Sequence, residues 1–300
     1  IYGGTGLRVT LPSDSIGKDD CELNLGGLKD ILSGVKGIIE IVTNGSVIIN
    51  TDSGEIILPF IPGKLTLPTV KQETASVGSE DLQKNLRKVL PFSATSEGKR
   101  NLFGVLVEVQ ETGLRTVASD GFRLGYADTA AVVMKEESIM IPLQYAKLLQ
   151  GILKLVPEGE VSIRADKDSL KFQGEYFELV FPRPDFDFPD YRRILPSGFK
   201  ANLEVNREEL LEAVNRSLGT DKVRLTREGE VISITGKIGE GNFTHKVSVA
   251  GDGEMKATYN PKFLKDALTA IDSELVTLGF VEANSPLQLA PEEGEVEKYI

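Results

Sequence analysis

The sequence predicts an α+β fold: copies of one domain, each with two helices packed on antiparallel sheet. Three observations predict it. A lysine-bearing helix followed by alternating strands recurs at a fixed interval, a second helix with acids in its first turn recurs between those copies, and the intervening residues alternate with period two. A chain of 300 residues exceeds one ordinary core and fits two or three domains.

The lysine-bearing copies come first. Residues 27–32 form the first predicted helix, with strands over 38–42 and 47–50. Residues 146–149 form the second, with strands over 160–163 and 170–172, and residues 264–268 form the third, with strands over 275–278 and 287–289. Lys29, Lys147 and Lys265 mark them, and both intervals (147 − 29 and 265 − 147) are 118 residues. Three copies of one domain explain that equality better than one continuous fold.

The second helix type opens at Ser79-Glu80-Asp81, with Ser79 as the expected cap, and again at Asn206-Arg207-Glu208-Glu209. Its apolar faces are Leu82, Leu86, Val89 and Leu90 in one copy, and Leu210, Leu211, Val214 and Leu218 in the other. No counterpart precedes Lys29, and the chain opens at Ile1 rather than Met. The first copy is therefore expected to be the back half of a domain, entered through a strand over 7–11. Period-two strands are expected over 105–109 and 231–234. The period sets domains at 1–73, 74–190 and 191–300, with Pro184, Pro189, Pro196, Ser197 and Gly198 marking an extended connector.

Composition narrows the function. No apolar run approaches the roughly 18–20 residues that span a bilayer, and no secretory leader opens the chain, so a cytoplasmic location is expected. Cys21 is the only cysteine, which excludes an internal disulfide and a multi-cysteine metal site. Asp185, Asp187 and Asp190 are the densest carboxylates, but phenylalanines and a proline separate them and no calcium-loop glutamate follows. His245 is the only histidine, so no triad is available. Gly3-Gly4-Thr5-Gly6 lacks the lysine of a phosphate loop and reads as a turn. No metal, cofactor or catalytic residue is expected.

A net charge of −11 argues against indiscriminate binding to nucleic acid. The positive charge is nevertheless patterned: Lys84, Arg87 and Lys88 sit at helical spacings of three and four, Lys29 and Lys36 repeat the seven-residue spacing of Lys147 and Lys154, and Lys262 and Lys265 are three apart. Taken singly, each is a solvated helix face. Recurring in every copy, they would line one surface with cations, to hold phosphates without reading bases.

Two stretches carry a resemblance. Arg115-Thr116-Val117-Ala118-Ser119-Asp120-Gly121-Phe122-Arg123-Leu124 resembles the central-domain signature of the bacterial DNA polymerase III beta subunit, the sliding clamp family. Phe188-Pro189-Asp190-Tyr191-Arg192-Arg193-Ile194-Leu195-Pro196 resembles that family's hallmark between its second and third domains. The resemblance spans the whole chain. It implies three DNA-clamp domains, a ring-shaped head-to-tail homodimer around duplex DNA, and no catalytic activity. Implied partners are the DNA polymerase III alpha subunit, the clamp loader, and other polymerases and repair proteins, docking short hydrophobic motifs into a cleft.

Carried onto this sequence, the cleft takes Leu102, Ser119, Gly121, Phe122, Arg123 and Leu124, then Pro189, Arg193 and Ile194, then Asn260, Phe263, Asn284 and Pro286, with Ile300 at its border. The DNA-facing set is Lys29, Lys84, Arg87, Lys88, Lys99, Arg100, Lys147, Lys154, Arg207, Lys262 and Lys265. Phe122 stands where some members have His, and Phe263 where Tyr is common. The family's Met- and Pro-containing tail is replaced by a chain that stops at Ile300. The competing reading is a non-DNA scaffold of the same repeats, with lysines that only solubilise it.

Overall fold

The computed structural model describes residues 6–9, 21–22, 40–43, 46–51, 54–59, 61–62, 67–292 and 297–299. Among them the α-helices are α1 (Ser79–Val89), α2 (Leu143–Leu155), α3 (Arg207–Asn215) and α4 (Pro261–Ala270). The expected helix over 27–32, with Lys29 and Lys36, lies outside the described residues.

Each helix follows from its local sequence. In α1, Leu82, Leu86 and Val89 are fully buried, Glu80 and Asp81 occupy the first turn, and Arg87 and Lys88 the last, the charge order that the helix dipole favours. Asn206 caps α3 by accepting a hydrogen bond from the Glu209 amide at 3.1 Å, and Asn260 caps α4 by accepting one from the Lys262 amide at 2.9 Å, with Pro261 at the first position. Ser79 departs from expectation. It is the first helical residue rather than the cap, and its buried hydroxyl donates to the Val156 carbonyl at 2.8 Å, tying α1 to the end of α2. The helix expected to run on to Leu218 ends at Asn215, where the Ser217 hydroxyl turns back to the Val214 carbonyl at 2.6 Å.

The helices pack in pairs, α1 on α2 and α3 on α4, with a further contact between α1 and α4. All strand pairings among the described residues are antiparallel. A six-stranded sheet runs in the order Gly6–Val9, Phe177–Pro182, Ser169–Gln173, Glu160–Ala165, Glu73–Gly78, Val132–Val133. A twelve-stranded sheet starts at Glu137–Pro142 and passes through Gly104–Gln110 and Gly113–Ser119 to Leu124–Thr129. It crosses to the C-terminal unit where Gly125 pairs with Tyr299, so the strand Glu297–Tyr299 joins the two units. It then continues through Gln288–Pro291, Leu275–Phe280, Ala201–Asn206 and Gly241–Asp252 to Val231–Ile238, Val223–Glu228 and Lys256–Tyr259. Near the start of the chain, Glu40–Thr43, Ser46–Thr51 and Gly54–Pro59 form a separate meander, its first two strands close to those expected for the first copy and its third not expected.

Most buried apolar residues join one core between helices and sheets. A smaller cluster lies on the other face of the central strands, where Leu106, Val117, Leu124 and Tyr126 receive Tyr191, with Phe188 and Leu195 packed against it. This explains the aromatic content of the connector. It is also anchored by charge: the Tyr191 hydroxyl donates to Glu108 at 2.7 Å, and Arg192 reaches the same oxygen at 2.9 Å. Burial and the Glu108 carboxylate together push the Tyr191 hydroxyl up to about 12.

Candidate functional site

The loop between strands Gly113–Ser119 and Leu124–Thr129 is built on its own hydrogen bonds. Asp120 Oδ1 accepts from the Phe122 and Arg123 amides at 2.9 and 3.1 Å, while the Ser119 hydroxyl donates to the Arg123 carbonyl at 2.8 Å. Gly121 takes φ +86°, a conformation that L side chains rarely adopt. A Cβ there would sit 3.5 Å from Lys99 Nζ and 3.6 Å from Leu102 Cδ1, so space is not the obstacle. Gly121→Ala is therefore expected to cost about 1–2 kcal/mol through backbone strain, read as a lower denaturation midpoint with unchanged slope.

The turn holds Phe122 out, 78% exposed, with Lys99 Nζ 4.5 Å from its ring centre and 2.5 Å from the Asp120 carbonyl. Arg123 instead turns inward. Its guanidinium donates to Asp120 Oδ2 at 3.0 Å, to the Pro91 carbonyl at 2.9 Å and to Asp266 of α4. It lies 4.7 Å from the Phe263 ring centre and 5.4 Å from that of Phe92. One side chain thus links the central unit to the C-terminal one.

Beside it opens a cavity of about 460 Å³. The loop contributes Ser119, Gly121, Phe122, Arg123 and Leu124, the connector Ile194, the start of α4 Asn260 and Phe263, and the segment after strand Leu275–Phe280 contributes Asn284 and Pro286. Ile194, 51% exposed, and Phe122 leave an apolar rim in water. Leu102, also expected here, does not line the cavity, although its Cδ1 would lie 3.6 Å from a Cβ at Gly121. Two further residues expected here lie elsewhere. Pro189 lines a different cavity, under the connector, and Arg193 is 83% exposed and paired with Asp190 at 3.0 Å. The 3-10 turn Tyr191–Ile194 is the cause: burying Tyr191 sends its neighbours in different directions. Ile300 lies outside the described residues.

The structure adds Phe92, Tyr259, Leu264, Ala267, Leu287 and Leu289 to the lining. Part of this had a sequence signal, because Asn260, Phe263, Leu264 and Ala267 share a helix face at spacings of three and four. Tyr259 had none. Its hydroxyl is buried without a hydrogen-bond partner among the described residues, and that burial pushes it up to about 12.

The cations divide. Lys84, Lys147, Lys154 and Lys262 are exposed and Lys265 partly so, and their side chains make no ion pair among the described residues. Lys88 corrects the expectation: it is 0% exposed, with Nζ 3.4 Å from Asp272, because α1 is covered on that side by the end of α4. Arg87 donates to both Asp272 oxygens at 2.7 and 3.0 Å. Lys99 belongs to the cavity rim, Arg100 lies 5.6 Å from the Phe186 ring centre, and Arg207 donates to the Ser273 carbonyl at 3.0 Å, so these three are engaged in the fold. No helix among the described residues is long and apolar enough to cross a membrane, and no three His, Cys, Asp or Glu side chains among them converge as metal ligands.

Comparison with known proteins places this arrangement. Residues 192–300 match the family described as DNA polymerase III beta subunit, C-terminal domain. The beta sliding clamp of Pseudomonas putida is 26% identical over 250 residues, 78% of this chain and 67% of that protein. The beta sliding clamp of Synechococcus elongatus is 25% identical over 240 residues, 75% of this chain and 64% of its own length. Among solved structures, the DNA polymerase III beta subunit of Thermotoga maritima superposes with a TM-score of 0.87 at 28% identity, covering 99% of this chain and 84% of that one. A sliding clamp from Pseudomonas aeruginosa bound to griselimycin shares the fold, with a TM-score of 0.80 at 22% identity over 91% of this chain and 78% of its own. Signature loop, connector and superposed fold agree: residues 192–300 match the C-terminal domain of the DNA polymerase III beta subunit, and the chain as a whole is similar to beta sliding clamps.

Proposed function

We propose that this chain is a sliding clamp: as a head-to-tail homodimeric ring it encircles duplex DNA and tethers the polymerase, without catalytic activity of its own, in the cytoplasm. Its units are the three clamp domains 1–73, 74–190 and 191–300. The observation that carries this reading is the apolar-rimmed cavity where the Ser119–Leu124 turn, Ile194 and the start of α4 meet. Apolar walls with a few fixed polar groups suit a short hydrophobic peptide. Its partners are the DNA polymerase III alpha subunit, the clamp loader, and other polymerases and repair proteins bearing such a motif. The cleft consists of Ser119, Gly121, Phe122, Arg123, Leu124, Ile194, Asn260, Phe263, Asn284 and Pro286. The DNA-facing set reduces to Lys84, Lys147, Lys154, Lys262 and Lys265.

One observation favours the scaffold alternative. The outer face of α3 exposes Glu208, Glu209 and Glu212, which repel phosphate. Retention on DNA separates the two. Loaded on nicked circular DNA, the clamp is expected to stay at moderate salt and to slide off once the circle is linearised; equal retention on both templates rules out a ring. Exchanging Lys84, Lys147 and Lys154 for glutamate is expected to weaken direct DNA binding and flatten its salt dependence by about one unit for each phosphate no longer neutralised. Peptide binding should be unchanged.

A further inference from the structure

A second set of unpaired cations among the described residues is not on the helices. Strands Lys256–Tyr259, Val223–Glu228, Val231–Ile238 and the first part of Gly241–Asp252 lie side by side in the C-terminal unit. Their inward residues, such as Leu225, Ile232, Ile234 and Ala257, are buried in the core. Alternation therefore turns Arg224, Lys237, Lys246 and Lys256 outward. All four are exposed, as is Lys222 just before the second of these strands, and none makes an ion pair among the described residues. Between them stand hydroxyls: Thr258 faces Arg224, which faces Thr235, which faces Thr244. In a chain of net charge −11, this is a concentrated basic face.

Its position gives it meaning. Lys222, Arg224 and Lys237 line an open groove of about 690 Å³ with one carboxylate, Asp221. Thr258 lines both that groove and the cavity beside Arg123. Neighbouring strands are about 4.8 Å apart and an extended peptide advances about 3.3 Å per residue. A chain leaving the cavity at Thr258 thus comes within reach of Arg224 after about two residues. The outward positions carry Thr, Ser, Asn, Val231 and Glu228, and the one ring lining the groove, Phe243, is partly buried and laid over Gly236, so no row of exposed rings offers a stacking platform for unpaired bases.

We infer that this basic face continues the cleft and takes the acidic flank of a peptide whose hydrophobic anchors occupy the cavity. The inference rests on the peptide-cleft reading above and adds a specificity to it: a run of Asp or Glu next to the anchors. Rim charges of this kind raise the association rate and are screened by salt.

The test uses three dye-labelled synthetic peptides with one Leu- and Phe-containing anchor, flanked by four serines or by four aspartates at either end, titrated by fluorescence anisotropy. One aspartate flank is expected to tighten binding about tenfold at low salt, and high salt should erase the gain. The triple variant Lys222→Ala, Arg224→Ala, Lys237→Ala should lose the gain and bind the serine-flanked peptide as the native chain does. Arg224→Lys alone should keep it. The inference is overturned if neither aspartate peptide binds tighter, or if the triple variant keeps the difference. It is equally overturned if only a single-stranded oligonucleotide responds to the triple variant, which would give the face to nucleic acid. Failure of the serine-flanked peptide to bind the native chain defeats the cleft reading itself.

Discussion

Replacing Asp272 by alanine is expected to destabilise the protein by about 2–4 kcal/mol, whereas Lys88→Met should be nearly neutral. Lys88 is wholly buried on α1 and its ammonium lies 3.4 Å from Asp272, just beyond the end of α4. Arg87 places two further hydrogen bonds on the same carboxylate. Removing Asp272 takes a counter-charge from a cation that water cannot reach, and breaking a fully buried pair costs about 3–5 kcal/mol. The figure is lowered here because Asp272 is 40% exposed. Methionine at position 88 removes charge and desolvation cost together while keeping most of the packing. Urea unfolding followed by circular dichroism measures both variants. Equal losses from the two would mean that side-chain packing, not charge, holds this seam.

The same pair shows where sequence reading stops. Lys84, Arg87 and Lys88 share a face by spacing alone, and a helix exposed on that whole side would present all three. Asp272 lies 184 residues from Lys88 (272 − 88), and nothing near α1 announces that α4 will cover it. Local signals served where local forces decide: acids in the first turn of α1, asparagine caps on α3 and α4, period-two strands, and the Asp120-Gly121 turn with its positive φ. Ser79 failed for the reverse reason, since a good capping residue found a tertiary acceptor at Val156 instead. In the cavity, resemblance gave the loop and the α4 residues. Phe92, Leu287 and Leu289 had no signal of their own as cavity wall, because a residue that is both core and cavity wall carries only the hydrophobic one. Pro189 and Ile194 are five residues apart, yet the burial of Tyr191 between them puts them on different cavities.

Arg123→Ala is expected to weaken binding of an anchor peptide by about 10- to 100-fold, about 1.4–2.8 kcal/mol, and to cost about 1–3 kcal/mol of stability. The side chain is only 14% exposed and donates to two carboxylates and a carbonyl, one of the carboxylates being Asp266 across the boundary between units. Its plane also covers Phe263 and approaches Phe92, two walls of the cavity. Truncation leaves Asp266 without this partner, lets α4 shift against the Ser119–Leu124 turn, and opens the apolar wall to water. Lysine cannot replace it, because one ammonium cannot serve Asp120, Pro91 and Asp266 in a plane while stacking on a ring. Arg123→Lys should therefore recover less than half of the affinity that alanine removes. Peptide titration and denaturation run on the same variants separate the two roles. If stability falls while peptide affinity holds, Arg123 is a strut between units and the binding cleft lies elsewhere. If affinity falls in proportion to the disturbed geometry, with Arg123→Lys intermediate, the guanidinium both braces the seam and shapes the cavity beside it.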